Sequence, residues 1–79
     1  MPWYVYIVAC NDNKLYTGIT KDLKRRLIEH NQGKGCKFTR ARFPVKLKHS
    51  EKLTTLSAAL KREAAIKRLS RREKLELFI

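Results

Sequence analysis

Trp3–Cys10 opens the chain as an apolar run with no polar side. Trp3, Val5, Ile7 and Ala9 fall one way, and Tyr4, Tyr6, Val8 and Cys10 the other. β-Branched and aromatic residues in that arrangement predict a strand inside a sheet covered on both faces. Asn11-Asp12-Asn13 is a turn signal, because Asn and Asp tolerate left-handed backbone and hydrogen-bond their own chain. Leu15–Thr20 is the return strand. A three-residue loop with Asn13 left-handed pairs Val8 with Tyr16 and Tyr6 with Gly18. In that register Tyr6, Tyr16 and Gly18 share a face, and Gly18 leaves space beside the Tyr6 ring. A loop of two or four residues would send the tyrosines to opposite faces.

The period then lengthens. Thr20 or Asp22 caps a helix running to about Asn31, with Leu23 and Leu27 on its core stripe. Arg26 and His30, four apart, share a face at the edge of that stripe. Residues 32–44 form a long connection with Gly33, Gly35 and Pro44, in which Lys34, Lys37, Arg40 and Arg42 alternate with Phe38 and Phe43. Gly33-Lys34-Gly35 is too short to read as a phosphate loop. Val45–Lys52 alternates again, with Val45 and Leu47 one way and Lys46 and Lys48 the other, as suits an edge strand. Leu56–Leu69 is a helix whose inward positions are Leu56, Ala59, Leu60, Ile66 and Leu69. Ser70-Arg71-Arg72-Glu73 is a capping box that restarts a last helix through Leu75 and Phe78. The expected fold is α+β, a small three-stranded antiparallel sheet flanked by helices in the order β-β-α-β-α-α, as one domain over residues 1–79.

One residue breaks the pattern. Position 63 lies on the inward stripe of the helix from Leu56, and it is Glu63. A carboxylate there needs a cation, a metal or hydrogen-bond donors to offset its desolvation. It pairs with an arginine, lies at the edge of the stripe, or sits ready as a hard-cation ligand facing the tyrosine hairpin.

Composition adds a partner. The 79 residues contain 19 Lys and Arg against 7 Asp and Glu, a net charge of +12. Residues 1–20 carry one basic residue, Lys14; the other 18 lie in 21–79. A basic body on a nearly neutral hairpin favours a polyanionic partner, nucleic acid ahead of an acidic membrane surface. Lys24, Arg25, Lys34, Lys37, Phe38, Arg40 and Arg42 are the candidate contacts, Phe38 either stacking on a base or plugging the core under its loop. Cys10 and Cys36 make no CxxC and no zinc-type cluster, which with no signal peptide fits a reducing cytoplasm, including association with the nucleoid. The opening apolar run is too short to span a bilayer. His49 reads as structural.

Taken in order, these residues resemble the GIY-YIG nuclease superfamily, in its small stand-alone bacterial branch. Tyr4-Val5-Tyr6 stands at the first motif and Tyr16-Thr17-Gly18 at the second. Arg26 falls at the catalytic arginine, His30 at a position often held by an active-site histidine, and Glu63 at the metal-binding glutamate. Tyr4 and Val5 replace the glycine and isoleucine of the first motif, and Thr17 is the middle residue of the second. The asparagine that many relatives carry after the glutamate is absent, since no Asn follows Asn31.

The resemblance implies metal-assisted phosphodiester hydrolysis, with catalytic Tyr6, Tyr16, Arg26, His30 and Glu63 and structural Gly18. Glu63 would hold one Mg²⁺ or Mn²⁺ ion. Tyr6, ahead of Tyr16, would deprotonate or orient water, with Arg26 and His30 lowering its pKa; otherwise His30 holds a tyrosine or the phosphate. The implied function is a structure-selective endonuclease acting on DNA rather than RNA, of the kind used in DNA repair. The alternatives are a non-catalytic nucleic-acid-binding module and a subunit that docks on a partner protein or a second copy.

Overall fold

The structure is a computed structural model, and it describes residues 2–78. The strands are β1 (Trp3–Ala9), β2 (Leu15–Thr20) and β3 (Lys46–Leu53), and the helices are α1 (Leu23–Asn31), α2 (Leu56–Lys67) and α3 (Arg71–Glu76). The order is the expected β-β-α-β-α-α. The sheet runs β2-β1-β3, antiparallel throughout, so the doubly apolar strand is the central one.

The hairpin register follows from its turn. Asn13 has φ 66° and donates its backbone N–H to the Cys10 carbonyl, and the Cys10 N–H donates to Lys14. Val8 therefore pairs with Tyr16 and Tyr6 with Gly18. The even-numbered face of β1 (Tyr6, Val8, Cys10) forms one core with Val45, Tyr16, Leu23 and Leu27. The odd-numbered face (Val5, Ile7) forms the other with Ala59, Ile66, Trp3, Leu15, Ile19, Leu53, Leu77 and Phe78. Helix α1 and the 32–44 connection thus cover one side, and α2 with the C-terminal segment the other.

Three expectations change. The strict alternation across 45–52 fails at a bulge: β1 pairs Val8 with Leu47 but Ile7 with His49, leaving Lys48 as the extra residue. Beyond it, His49 and Glu51 lie on the α2 side rather than continuing the Val45–Leu47 face. Leu56 and Leu60 are 43% and 47% exposed. The sheet is only three strands wide, and α2 buries a narrower stripe of Ala59 and Ile66 with half-buried Arg62 and Glu63 between them. Helix α2 also stops at Lys67 and α3 at Glu76, so Leu69 and Phe78 lie beyond the helices.

Caps fix the helix starts. Asp22, not Thr20, caps α1 by accepting from the Arg25 N–H, while Thr20 Oγ1 accepts from the Asp22 N–H. Thr55 caps α2, and Ser70 and Glu73 form the capping box of α3. Arg62 grips Glu51 with two bonds of 2.7 and 2.9 Å, and Glu51 also meets His49 at 2.7 Å. This bidentate pair ties α2 to β3 and makes His49 structural. Asn31 closes the end of α1 by accepting from the Val45 N–H at 2.6 Å. No helix among the described residues is long and apolar enough to cross a membrane.

Candidate active site

A tight hairpin register, a capped helix and a pinned loop bring polar groups together on the α1 side of the sheet. Tyr6 is 1% exposed, and its hydroxyl lies 2.8 Å from His30 Nε2. His30 is fully buried, and its Nδ1 lies 2.7 Å from Thr39 Oγ1. The ring expected at the edge of the α1 stripe is therefore its most buried residue, held at both nitrogens. Tyr16 completes the aromatic group, with ring centroids 6.3 Å from Tyr6 and 5.6 Å from His30.

Two glycines make room for this packing. A Cβ on Gly18 would stand 2.6 Å from the Tyr6 hydroxyl and 3.0 Å from Tyr16. A Cβ on Gly35 would collide with the His30 imidazole. Gly35, Thr39, Cys36 and Glu29 were not expected at this site. Gly35 and Thr39 sit in a connection without period, where only the spacing of glycines hinted at close backbone approach. Glu29 accepts from Arg26 at 3.1 Å and from Arg25 at 3.4 Å.

Burial sets the protonation states. It raises the Tyr6 phenol above its usual value, and the nearby Arg26 guanidinium offsets only part of the rise. Arg26 thus lowers the Tyr6 pKa as expected, but burial outweighs it, and His30 adds no lowering of its own. His30 contributes no positive charge, because burial and then Arg26 lower its own pKa below 6.5. Tyr16 is also pushed up by burial, with the Cys36 thiol beside it adding to the rise. For Cys36 burial acts upward, but hydrogen bonds from Thr39 and Tyr16 bring the thiol below its usual value.

The 32–44 connection is a clamp rather than a free arm. Phe38 stacks on Tyr16 at 5.7 Å with a 25° interplanar angle, and Arg42 sits 4.4 Å over the Phe38 ring. Arg42 also bonds Asp12 at 3.0 Å and the Phe38 carbonyl at 2.6 Å. Phe38 and Arg42, expected as nucleic-acid contacts, are engaged in covering Tyr16. Lys24, Arg25, Lys34, Lys37 and Arg40 remain exposed.

Glu63 lies on the inner stripe of α2, its side chain 19% exposed and paired with Lys67 at 3.4 Å. Glu63 belongs to the helix on the Val5–Ile7 side of the sheet, and its negative charge ranks behind burial, Arg26 and Cys36 among the influences on the Tyr6 phenol, acting upward. Among the described residues no three His, Cys, Asp or Glu side chains form a metal cage. That excludes a zinc-like set of nitrogen and sulfur ligands. A lone carboxylate suits a hard divalent cation that keeps water and takes phosphate oxygens.

The GIY-YIG catalytic domain model matches residues 2–76. The chain belongs to the GIY-YIG family. UPF0213 proteins are similar over nearly its whole length. That of Syntrophus aciditrophicus is 57% identical, covering 95% of this chain and 87% of the relative. That of Staphylococcus epidermidis is 54% identical, covering 95% and 92%. The solution NMR structure of the UPF0213 protein of Bacillus halodurans superposes with a TM-score of 0.62 at 43% identity, over 98% of this chain and 82% of that one. A protein of E. faecalis, also solved by NMR, gives 0.66 at 44%, over 96% and 81%. This GIY-YIG chain therefore carries a nuclease fold, whose family generally uses a divalent metal and takes nucleic acid as substrate.

Proposed function

We propose that the protein is an endonuclease that hydrolyses phosphodiesters in DNA of branched or flapped structure. The observation that carries this reading is the Tyr6 hydroxyl, held by His30 at 2.8 Å with Arg26 beside it. A buried phenol with a raised pKa is a poor free base at neutral pH. It serves instead as a relay. The attacking water passes a proton to the Tyr6 oxygen while the Tyr6 proton moves to neutral His30 Nε2, so no tyrosinate accumulates. The water oxygen bonds to phosphorus as the bond to the leaving oxygen breaks, and the leaving oxygen takes a proton from solvent. The His30 imidazolium then returns its proton through Tyr6 to solvent, restoring the starting state. Thr39 is a positioning residue that fixes the His30 ring from its other side.

Arg26 stabilises the charge that develops on the phosphoryl oxygens, after exchanging Glu29 for the phosphate. Glu63 is the residue that would hold a divalent cation, which when bound polarises the phosphate and the leaving oxygen. Tyr16 packs against Tyr6 and keeps its hydroxyl in place.

The test is cleavage of flapped and branched DNA with Mg²⁺ or Mn²⁺, comparing wild type with Arg26→Ala and Glu63→Gln purified identically. Each substitution should lower the rate by about 10²–10³-fold. Cleavage that survives both substitutions removes the enzyme reading. The second reading, a binding module without catalysis, is favoured by the burial that keeps Tyr6 and His30 uncharged. It predicts salt-sensitive DNA binding with no cleavage in any variant.

A further inference from the structure

Beside the Arg26 guanidinium the β2 edge opens into a cleft of about 440 Å³, lined by Trp3, Ile19, Lys21, Arg25, Arg26 and Glu29 among others. Three of these six are cations, and one is the single tryptophan of the chain. The Lys21 ammonium rests 5.0 Å from the centre of the Trp3 ring. Glu29 meanwhile takes the anion position between Arg25 and Arg26, at 3.4 and 3.1 Å. The protein thus fills an aromatic platform with its own cation, and two arginines with its own carboxylate.

We infer that this cleft binds one unpaired nucleotide adjacent to the scissile phosphate, its base stacked on Trp3 and its phosphate on Arg25 in place of Glu29. The assignment rests on the reading of Arg26 as the phosphate-binding residue of the site. A paired base offers only its edges to a groove, so a base reaching the face of Trp3 is splayed out of the stack. Base stacking on an aromatic ring outweighs an exposed ammonium over that ring. Lys21 can therefore be displaced onto the phosphate. The cleft is the size of a small-ligand site, which suits a single nucleotide better than a duplex surface.

Trp3 reports on its own occupancy. Single-stranded oligothymidylate and oligouridylate are titrated into the wild-type protein in EDTA, where metal-dependent cleavage cannot proceed, and Trp3 fluorescence is read. Inorganic tripolyphosphate serves as a probe with phosphates and no base. The expected result is saturable quenching by the oligonucleotides and none by tripolyphosphate. The two sugars distinguish a DNA substrate from an RNA one. Trp3→Leu should weaken oligonucleotide binding about 5- to 100-fold, with Trp3→Phe recovering part of the loss.

Equal responses to oligonucleotide and tripolyphosphate overturn the subsite. So does oligonucleotide binding, seen by anisotropy of a labelled strand, that leaves Trp3 silent. An oligonucleotide that fails to bind at all overturns it as well. Trp3 packs against the core, so Trp3→Leu can fail to fold, but the wild-type titration decides without it. Cleavage with Trp3 silent removes the subsite and leaves the nuclease reading. Quenching with no cleavage in Mg²⁺ or Mn²⁺ does the reverse.

Discussion

The two faces of β1 are both buried, yet they are made of different material. Toward α2 the fully covered residues are Val5, Ile7, Ala59 and Ile66. Toward α1 they include Tyr6, His30 and Thr39, joined hydroxyl to ring to hydroxyl at 2.8 and 2.7 Å. The aliphatic side gains by excluding water from apolar surface, although Thr17, opposite Ile7, buries its Oγ1 there without a partner and Arg62, Glu51 and His49 bond one another at its margin. The polar face is stable only because each buried group finds a partner, which makes its geometry specific and its members hard to exchange one at a time. A chain of 79 residues has little core to spare. Placing a phenol and an imidazole in half of it makes that half depend on hydrogen-bond geometry rather than on apolar area alone.

Substitutions on each face should separate these roles. The largest expected effect on stability is on the aliphatic side: Ile66→Ala should cost about 2–5 kcal/mol in urea unfolding. The molecules that remain folded should cleave at the wild-type rate per molecule. A folded Ile66→Ala protein with no cleavage would mean that the faces do not act separately. Gly18→Ala comes next, since the new Cβ would stand 2.6 Å from the Tyr6 hydroxyl. It should cost about 1–3 kcal/mol from overpacking and lower cleavage more than tenfold. Tyr6→Phe keeps the ring but leaves His30 Nε2 buried without its partner. A loss of about 1–3 kcal/mol in thermal unfolding, together with loss of cleavage, is expected. If Tyr6→Phe is as stable as wild type, the hydrogen bond is not formed in solution.

A smaller effect comes from acid. The folded pKa of His30 lies below 6.5, while the unfolded chain takes up the proton near that value. Stability should be complete above pH 6.5 and fall as the pH drops from there toward the folded value. His30→Gln should flatten that part of the curve of unfolding free energy against pH. The smallest change in stability is expected for Asp12→Asn, which removes the ion pair to the Arg42 guanidinium while the Asn11 N–H still donates to the Arg42 carbonyl. Its signature is faster amide exchange across residues 36–42, with the sheet amides unaffected.

The register of the hairpin is legible in an odd loop with Asn13 left-handed, and the capping box at Ser70–Glu73 marks the start of the last helix. Periodicity gives the type and order of the elements but not the bulge in 45–52, and it leaves Thr20 and Asp22 as equal candidates for the cap that Asp22 supplies. The α2 stripe was drawn too wide because helical period alone does not report how much sheet lies beneath. The 32–44 connection was the least legible segment. Gly35, Cys36 and Thr39 reach His30 and Tyr16 through tertiary contacts that leave no period in the chain. Phe38 is open to two readings in the sequence, a base-stacking ring or a plug under its loop, because alternation of basic and aromatic residues is shared by both; in the fold it stacks on Tyr16 and is 37% exposed. Spacing likewise places the Arg26 guanidinium near Tyr6, where it lowers the phenol's pKa, but carries no measure of the burial that outweighs it.

The bulge at Lys48 has a consequence for charge as well as for shape. A ladder continuing from Leu47 without the extra residue would pair Lys48 with Ile7 and Glu51 with Tyr4. Glu51 would then stand on the tyrosine side of the sheet, adding another acid to the layer that holds Arg26 and Glu29. The irregularity sends that acid to the far side, where Arg62 holds it. One surplus residue in an edge strand thereby keeps Glu51 out of the layer that already pairs Arg26 with Glu29.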